Sequence, residues 1–129
     1  MQTTNEKGTV VELAVRKDLL DAGYMCYLPE CDSNQTDLIV EMSNGSFKRV
    51  QVKTIDRAKT TTSIEVRLAK HMNTKRVDVV AVYYKPKDII AYVPYENEIT
   101  IHLALTTAKN NQKTKRKWFY QYERFPEFS

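Results

Sequence analysis

The stretch Val77-Asp78-Val79-Val80-Ala81-Val82-Tyr83-Tyr84 is apolar at every position but Asp78. A run of that length without alternation reads as a strand buried on both faces, and such a strand needs cover on each side. It is the best candidate for a central strand. Lys85-Pro86-Lys87-Asp88 reads as a turn, and Ile89 to Val93 as the strand returning from it. A chain of 129 residues has room for one such core, so residues 1–129 are expected to form a single domain.

The rest of the chain supplies the cover. Val11, Ala14, Val15, Leu19 and Ala22 recur at helical spacing, predicting a helix over about residues 6–21 that stops near Gly23. Tyr24 to Leu28 reads as a short strand, and Pro29 to Gln35 as a loop. Thr36 to Met42 and Ser46 to Ile55 read as two strands around Ser43-Asn44-Gly45, a hairpin signal. Ser63 to Leu68 is a further strand, and Ala69 to Arg76 a loop or short helix. Ile99 to Ala108 reads as a weaker helix, and Trp118 to Glu123 as a last strand. The expected class is α/β, a mixed central sheet flanked by helices.

Charge is distributed in blocks. Residues 1–47 carry a net −5, 48–76 a net +7, 77–108 a net −2 and 109–129 a net +4. An acidic block followed by a basic one suits oxygen ligands placed beside a phosphate-binding surface. Arg57, Lys59, Lys70, Lys75 and Arg76 are candidates for phosphate contacts. So are Lys113, Lys115, Arg116 and Lys117, whereas Trp118, Phe119, Tyr120 and Tyr122 are expected in a core or subunit-contact strand. No apolar run reaches the roughly 20 residues of a membrane span. The start MQTTNEKGTV lacks the apolar stretch of a secretory signal, so a cytoplasmic location and no membrane partner are expected. Cys26 and Cys31 have no nearby histidine, and His71 and His102 are isolated, which argues against zinc.

The chemistry centres on the hairpin. Alternation in Val50-Gln51-Val52-Lys53 points Gln51 and Lys53 to one face. Where Asp37 points depends on the turn. A two-residue Asn44-Gly45 loop pairs Asp37 with Val52, on the wrong face. A three-residue Ser43-Asn44-Gly45 loop, with Gly45 left-handed, pairs it with Gln51, on the face of Lys53. Glu12, in line with Val15 and Leu19, edges the helical stripe and can approach the same sheet. The functional arrangement requires the second register or a bulge with the same effect. The alternative is that Asp37 caps a turn, Gln51 and Lys53 face solvent on a half-exposed sheet, and Glu12 is a surface helix residue. Carboxylates and an amide oxygen are hard donors suited to Mg²⁺.

The set Glu12, Asp37, Gln51-Val52-Lys53 resembles the PD-(D/E)XK nuclease superfamily, with Thr36 in place of the proline and Gln51 in place of the usual acid. The Q-x-K form is similar to that of group I intron homing endonucleases; the helix glutamate and the spacing also resemble archaeal Holliday-junction resolvases. The resemblance implies a restriction-endonuclease-like core and a metal-dependent endonuclease acting on double-stranded DNA. It implies Mg²⁺, with Mn²⁺ as a substitute, held by Glu12, Asp37, Gln51 and the Val52 carbonyl, with Lys53 acting on water or phosphate. Cutting two strands with so small a domain implies a homodimer or homotetramer. A junction-resolving enzyme and a DNA-binding module with a decayed site are the alternatives.

Overall fold

The computed structural model describes residues 2–31, 35–69, 72–106 and 116–127. Helix α1 (Thr4–Asp21) begins where the Thr3 hydroxyl accepts the Glu6 N–H at 3.1 Å, as an N-cap should. It ends at Gly23, whose φ of +95° lets the chain turn back while its N–H and that of Tyr24 satisfy the last carbonyls. The buried stripe is Val11, Val15 and Leu19, at four-residue spacing.

Seven strands follow: β1 (Met25–Tyr27), β2 (Leu38–Glu41), β3 (Phe47–Ile55), β4 (Ser63–Arg67), β5 (Val79–Tyr84), β6 (Ile89–Pro94) and β7 (Thr100–Ala104). Five form a mixed sheet in the order β1-β2-β3-β5-β6, and β4 pairs with β7 in a separate antiparallel ribbon. The β3–β5 pair is parallel and its neighbours antiparallel. A parallel pair needs a crossover, and β4 lies within it.

β5 is buried on both faces, as its apolar run requires. Val79 and Ala81 face α1 and pack with Val15, Leu19, Leu38 and Val50. Val80 and Val82 face the ribbon and pack with Ile64, Val66, Ile101 and Leu103. Tyr92 on β6 is almost wholly buried, and its hydroxyl donates to Asp18 of α1 at 2.6 Å. Burial first, then this bond, hold the phenol protonated far above its usual range.

Two expected elements differ. Residues 100–104 of the expected helix Ile99 to Ala108 form strand β7, while 107–108 lie outside the described residues. Ile101 and Leu103 alternate with exposed His102, and partner β4 repeats the pattern with Ile64 and Val66. The last strand expected at Trp118 to Glu123 is a 3₁₀ turn over Phe119–Tyr122, preceded by one parallel bridge between Trp118 and Ala104. Phe119 plugs the ribbon-side core, which a turn achieves as well as a strand.

Candidate active site at the open edge of β3

The hairpin turn decides the site. The Met42 N–H donates to the Ser46 carbonyl at 2.8 Å, and Gly45 sits at φ +86°. Asn44 Oδ1 accepts the Ser46 N–H at 2.9 Å and closes the turn. This is the three-residue loop. It sets Leu38 opposite Val50, where the β2–β3 ladder ends, with Asp37 just outside it.

β2 begins at Leu38, whereas β3 continues five residues past Val50. Over that stretch β5 pairs one edge of β3 and no β2 residue pairs the other. Asp37 fills the start of the opening. Its N–H donates to the Val50 carbonyl at 2.8 Å, and its carboxylate Oδ2 accepts the Val52 N–H at 2.7 Å. The carboxylate therefore turns into the edge of β3 instead of standing off the Lys53 face. Backbone groups alternate in direction along a strand. The Arg49 carbonyl accepts from Asp78 on the β5 side, and that of Val50 from Asp37 on the other. The Val52 carbonyl thus points into the same opening as the Asp37 carboxylate.

Gln51 and Lys53 flank Val52, both half-buried, on the ribbon side of the sheet. Gln51 Oε1 is buried with no hydrogen-bond partner, and an unsatisfied buried acceptor is costly. A bound cation would satisfy it. Glu12 is half-buried on α1, one turn before Val15, and α1 packs against β3. The structure thus brings Asp37, Gln51, Val52 and Lys53 to one stretch of edge, with Glu12 on the helix side of the same sheet. Among the described residues no three His, Cys, Asp or Glu gather as a metal site. The candidate donors are two carboxylates, an amide oxygen and a backbone carbonyl, all hard oxygens suited to Mg²⁺.

Three residues to which the sequence assigns no role in the site support Asp37. The buried Thr36 hydroxyl donates to the Arg76 carbonyl at 2.7 Å, tying the residue before Asp37 to the turn before β5. Arg49 clamps that turn. Its Nη2 donates to the Thr74 carbonyl at 3.2 Å and its Nη1 to the Lys75 carbonyl. Nε and Nη2 of Arg49 also grip the two oxygens of Asp78, at 3.0 and 3.1 Å. Burial pushes the Asp78 carboxyl up, but hydrogen bonds from the Arg49 side chain and backbone N–H, with its charge, outweigh that and hold it below the usual range. The lone acid in the β5 run was the available signal, since a charge there needs a partner.

The candidate phosphate-binding residues divide. Arg57, Lys75 and Arg76 are exposed. Lys59 pairs with Glu65 at 3.1 Å and Lys117 with Glu98 at 3.9 Å. The Arg116 guanidinium lies 5.6 Å from the centre of the Trp118 ring. Lys70, Lys113 and Lys115 lie outside the described residues. No described helix is long and apolar enough to cross a membrane.

The sequence pattern of the PD-(D/E)XK endonuclease family matches residues 2–125. In fold the chain is similar to a bacterial homing endonuclease, with a TM-score of 0.66 and 22% identity over 95% of this chain and 87% of the other. No curated protein matches the sequence.

Proposed function

This chain belongs to the PD-(D/E)XK endonuclease family, and from that premise we propose that it is a Mg²⁺-dependent endonuclease hydrolysing phosphodiester bonds in double-stranded DNA. The observation that carries the reading is the opening on β3. There the Asp37 carboxylate is fixed on the Val52 N–H beside the unsatisfied, buried Gln51 Oε1. Asp37, Glu12, Gln51 Oε1 and the Val52 carbonyl would hold Mg²⁺, or Mn²⁺ in its place. The ion supplies an activated water and Lewis-acid stabilisation of the phosphate. The Lys53 ammonium, one residue beyond Val52, neutralises charge building on the phosphate and orients the water. Gln51 leaves the site one negative charge short of the acid form, which weakens its hold on the ion.

Arg57, Lys59, Lys75, Arg76, Arg116 and Lys117 would seat the DNA backbone, with Lys70, Lys113 and Lys115. The chain acts as one nuclease domain, and a homodimer or homotetramer supplies one site per strand. Duplex is preferred over a four-way junction as substrate because of the Q-x-K form and the fold shared with a homing endonuclease. The test is incubation with Mg²⁺ on a linear duplex library and on a four-way junction, beside Lys53→Ala. Duplex cleavage at one sequence, abolished in Lys53→Ala, is expected. Paired nicks on the junction alone would make it a junction resolvase, and DNA binding without cleavage a binding module. Full activity of Lys53→Ala would overturn the site.

A further inference from the structure

We propose that the β4–β7 ribbon reads base sequence in the DNA major groove, with Arg67 as the base-reading side chain; the proposal rests on the DNA-endonuclease reading above. The ribbon is separate from the five-stranded sheet and pairs β4 with β7, with one parallel bridge from Ala104 to Trp118. Its inner residues Ile64, Val66, Ile101 and Leu103 are all but inaccessible and anchor it to the core. By alternation its outer face carries Glu65, Arg67, Thr100 and His102, with Glu65 opposite His102 and Arg67 opposite Thr100. Each of these is a hydrogen-bonding side chain; Ala104, which alternation also places on this face, is buried at the end bridged to Trp118. A two-stranded ribbon is one of the two shapes that a major groove admits.

Charge fits the partner. Lys59, Arg67, Arg116 and Lys117 outnumber Glu65 and Glu98 on and around this face. Glu65 is the organiser. Its carboxylate takes Lys59 at 3.1 Å and lies 3.9 Å from Arg67 Nε. The Lys59 hydrogen bond holds it below the usual carboxylate range, so it stays ionised. With Glu65 near its Nε, the Arg67 side chain is 79% exposed, and its outer nitrogens are able to form the paired bonds that recognise guanine. The ribbon also stands on the correct side. Gln51 and Lys53 are paired with Val80 and Val82, whose side chains form the core under the ribbon. The ribbon and the Gln51–Lys53 pair therefore lie on the same side of the sheet.

The test cleaves a library of randomised linear duplexes with Mg²⁺ and sequences the cut ends, for the native protein, Arg67→Ala and Arg67→Lys. Arg67→Ala is expected to flatten the preference at one or two adjacent base pairs by about 5- to 150-fold, leaving other positions intact. Arg67→Lys should restore overall affinity but not that preference, since an ammonium lacks the planar fork. An unchanged profile in Arg67→Ala, or full recovery of the preference by lysine, would overturn the proposal. Sequencing the bound fraction of the same library gives the same comparison without cleavage. Absence of cutting by the native protein would sink the enzyme reading alone, while a bound profile indifferent to Arg67→Ala would sink the ribbon.

Discussion

Removing either end of the Arg49–Asp78 clamp should loosen the turn that carries Arg76, and with it Thr36 and Asp37. The side chains are 36% and 22% exposed, so the pair is neither a surface bridge nor a buried one. An exposed pair contributes about 0–1 kcal/mol. Breaking a buried one costs about 3–5 kcal/mol. Two charge-assisted bonds at 3.0 and 3.1 Å, wet on the arginine side, put the coupling at about 1.5–2.5 kcal/mol. Arg49→Ala should cost more than Asp78→Asn, because it also strips donors from the Thr74 and Lys75 carbonyls. For a chain of this size each kcal/mol moves the midpoint by about 4 °C. The assay is urea unfolding of the native protein, both single variants and the double variant at neutral pH and in acid. The folded pKa of Asp78 is lowered, so its contribution is fully present above the unfolded value of about 4 and is lost as pH falls through the folded one. The coupling should therefore collapse in acid. Strict additivity at neutral pH, or a coupling that survives acid unchanged, would refute the clamp.

Thr36→Val keeps shape but orphans the Arg76 carbonyl, and should cost about 1–3 kcal/mol in chemical denaturation while lowering cleavage further than the stability loss explains. Gln51→Glu restores the missing charge and should lower the Mg²⁺ midpoint for cleavage by about threefold to tenfold, read from a metal titration; an unmoved midpoint would remove Gln51 from the ligand set. Gly45→Ala meets no atom within 4 Å but must adopt φ +86°, so it should cost about 1–2 kcal/mol by backbone strain, measured by thermal unfolding.

Much of this fold could be read before the structure because its signals are local. The unbroken run at β5 demands cover on both faces, and α1 and the ribbon provide it. Gly45 allows the three-residue turn, and that turn sets Leu38 opposite Val50, which leaves Asp37 at the end of the ladder. β7 is ambiguous in the sequence because Ile101 and Leu105 fit a helical spacing as well as Ile101 and Leu103 fit a strand; pairing with β4, some 35 residues away, decides. The clamp was invisible for the same reason, since Arg49 and Asp78 meet across 29 residues. The direction of the Asp37 carboxylate follows from β2 stopping short of β3, which no hydrophobic pattern reports.

A metal-dependent nuclease site at the opening beside Val52 is tested most directly by Asp37→Asn. An asparagine oxygen can still accept the Val52 N–H, so fold and DNA binding should persist while the charge at the opening is lost. Cleavage of duplex DNA, measured against Mg²⁺ concentration with unfolding followed in parallel, is predicted to fall at least about a hundredfold in a variant that remains folded. Cleavage at the native rate and native Mg²⁺ midpoint would place the chemistry elsewhere.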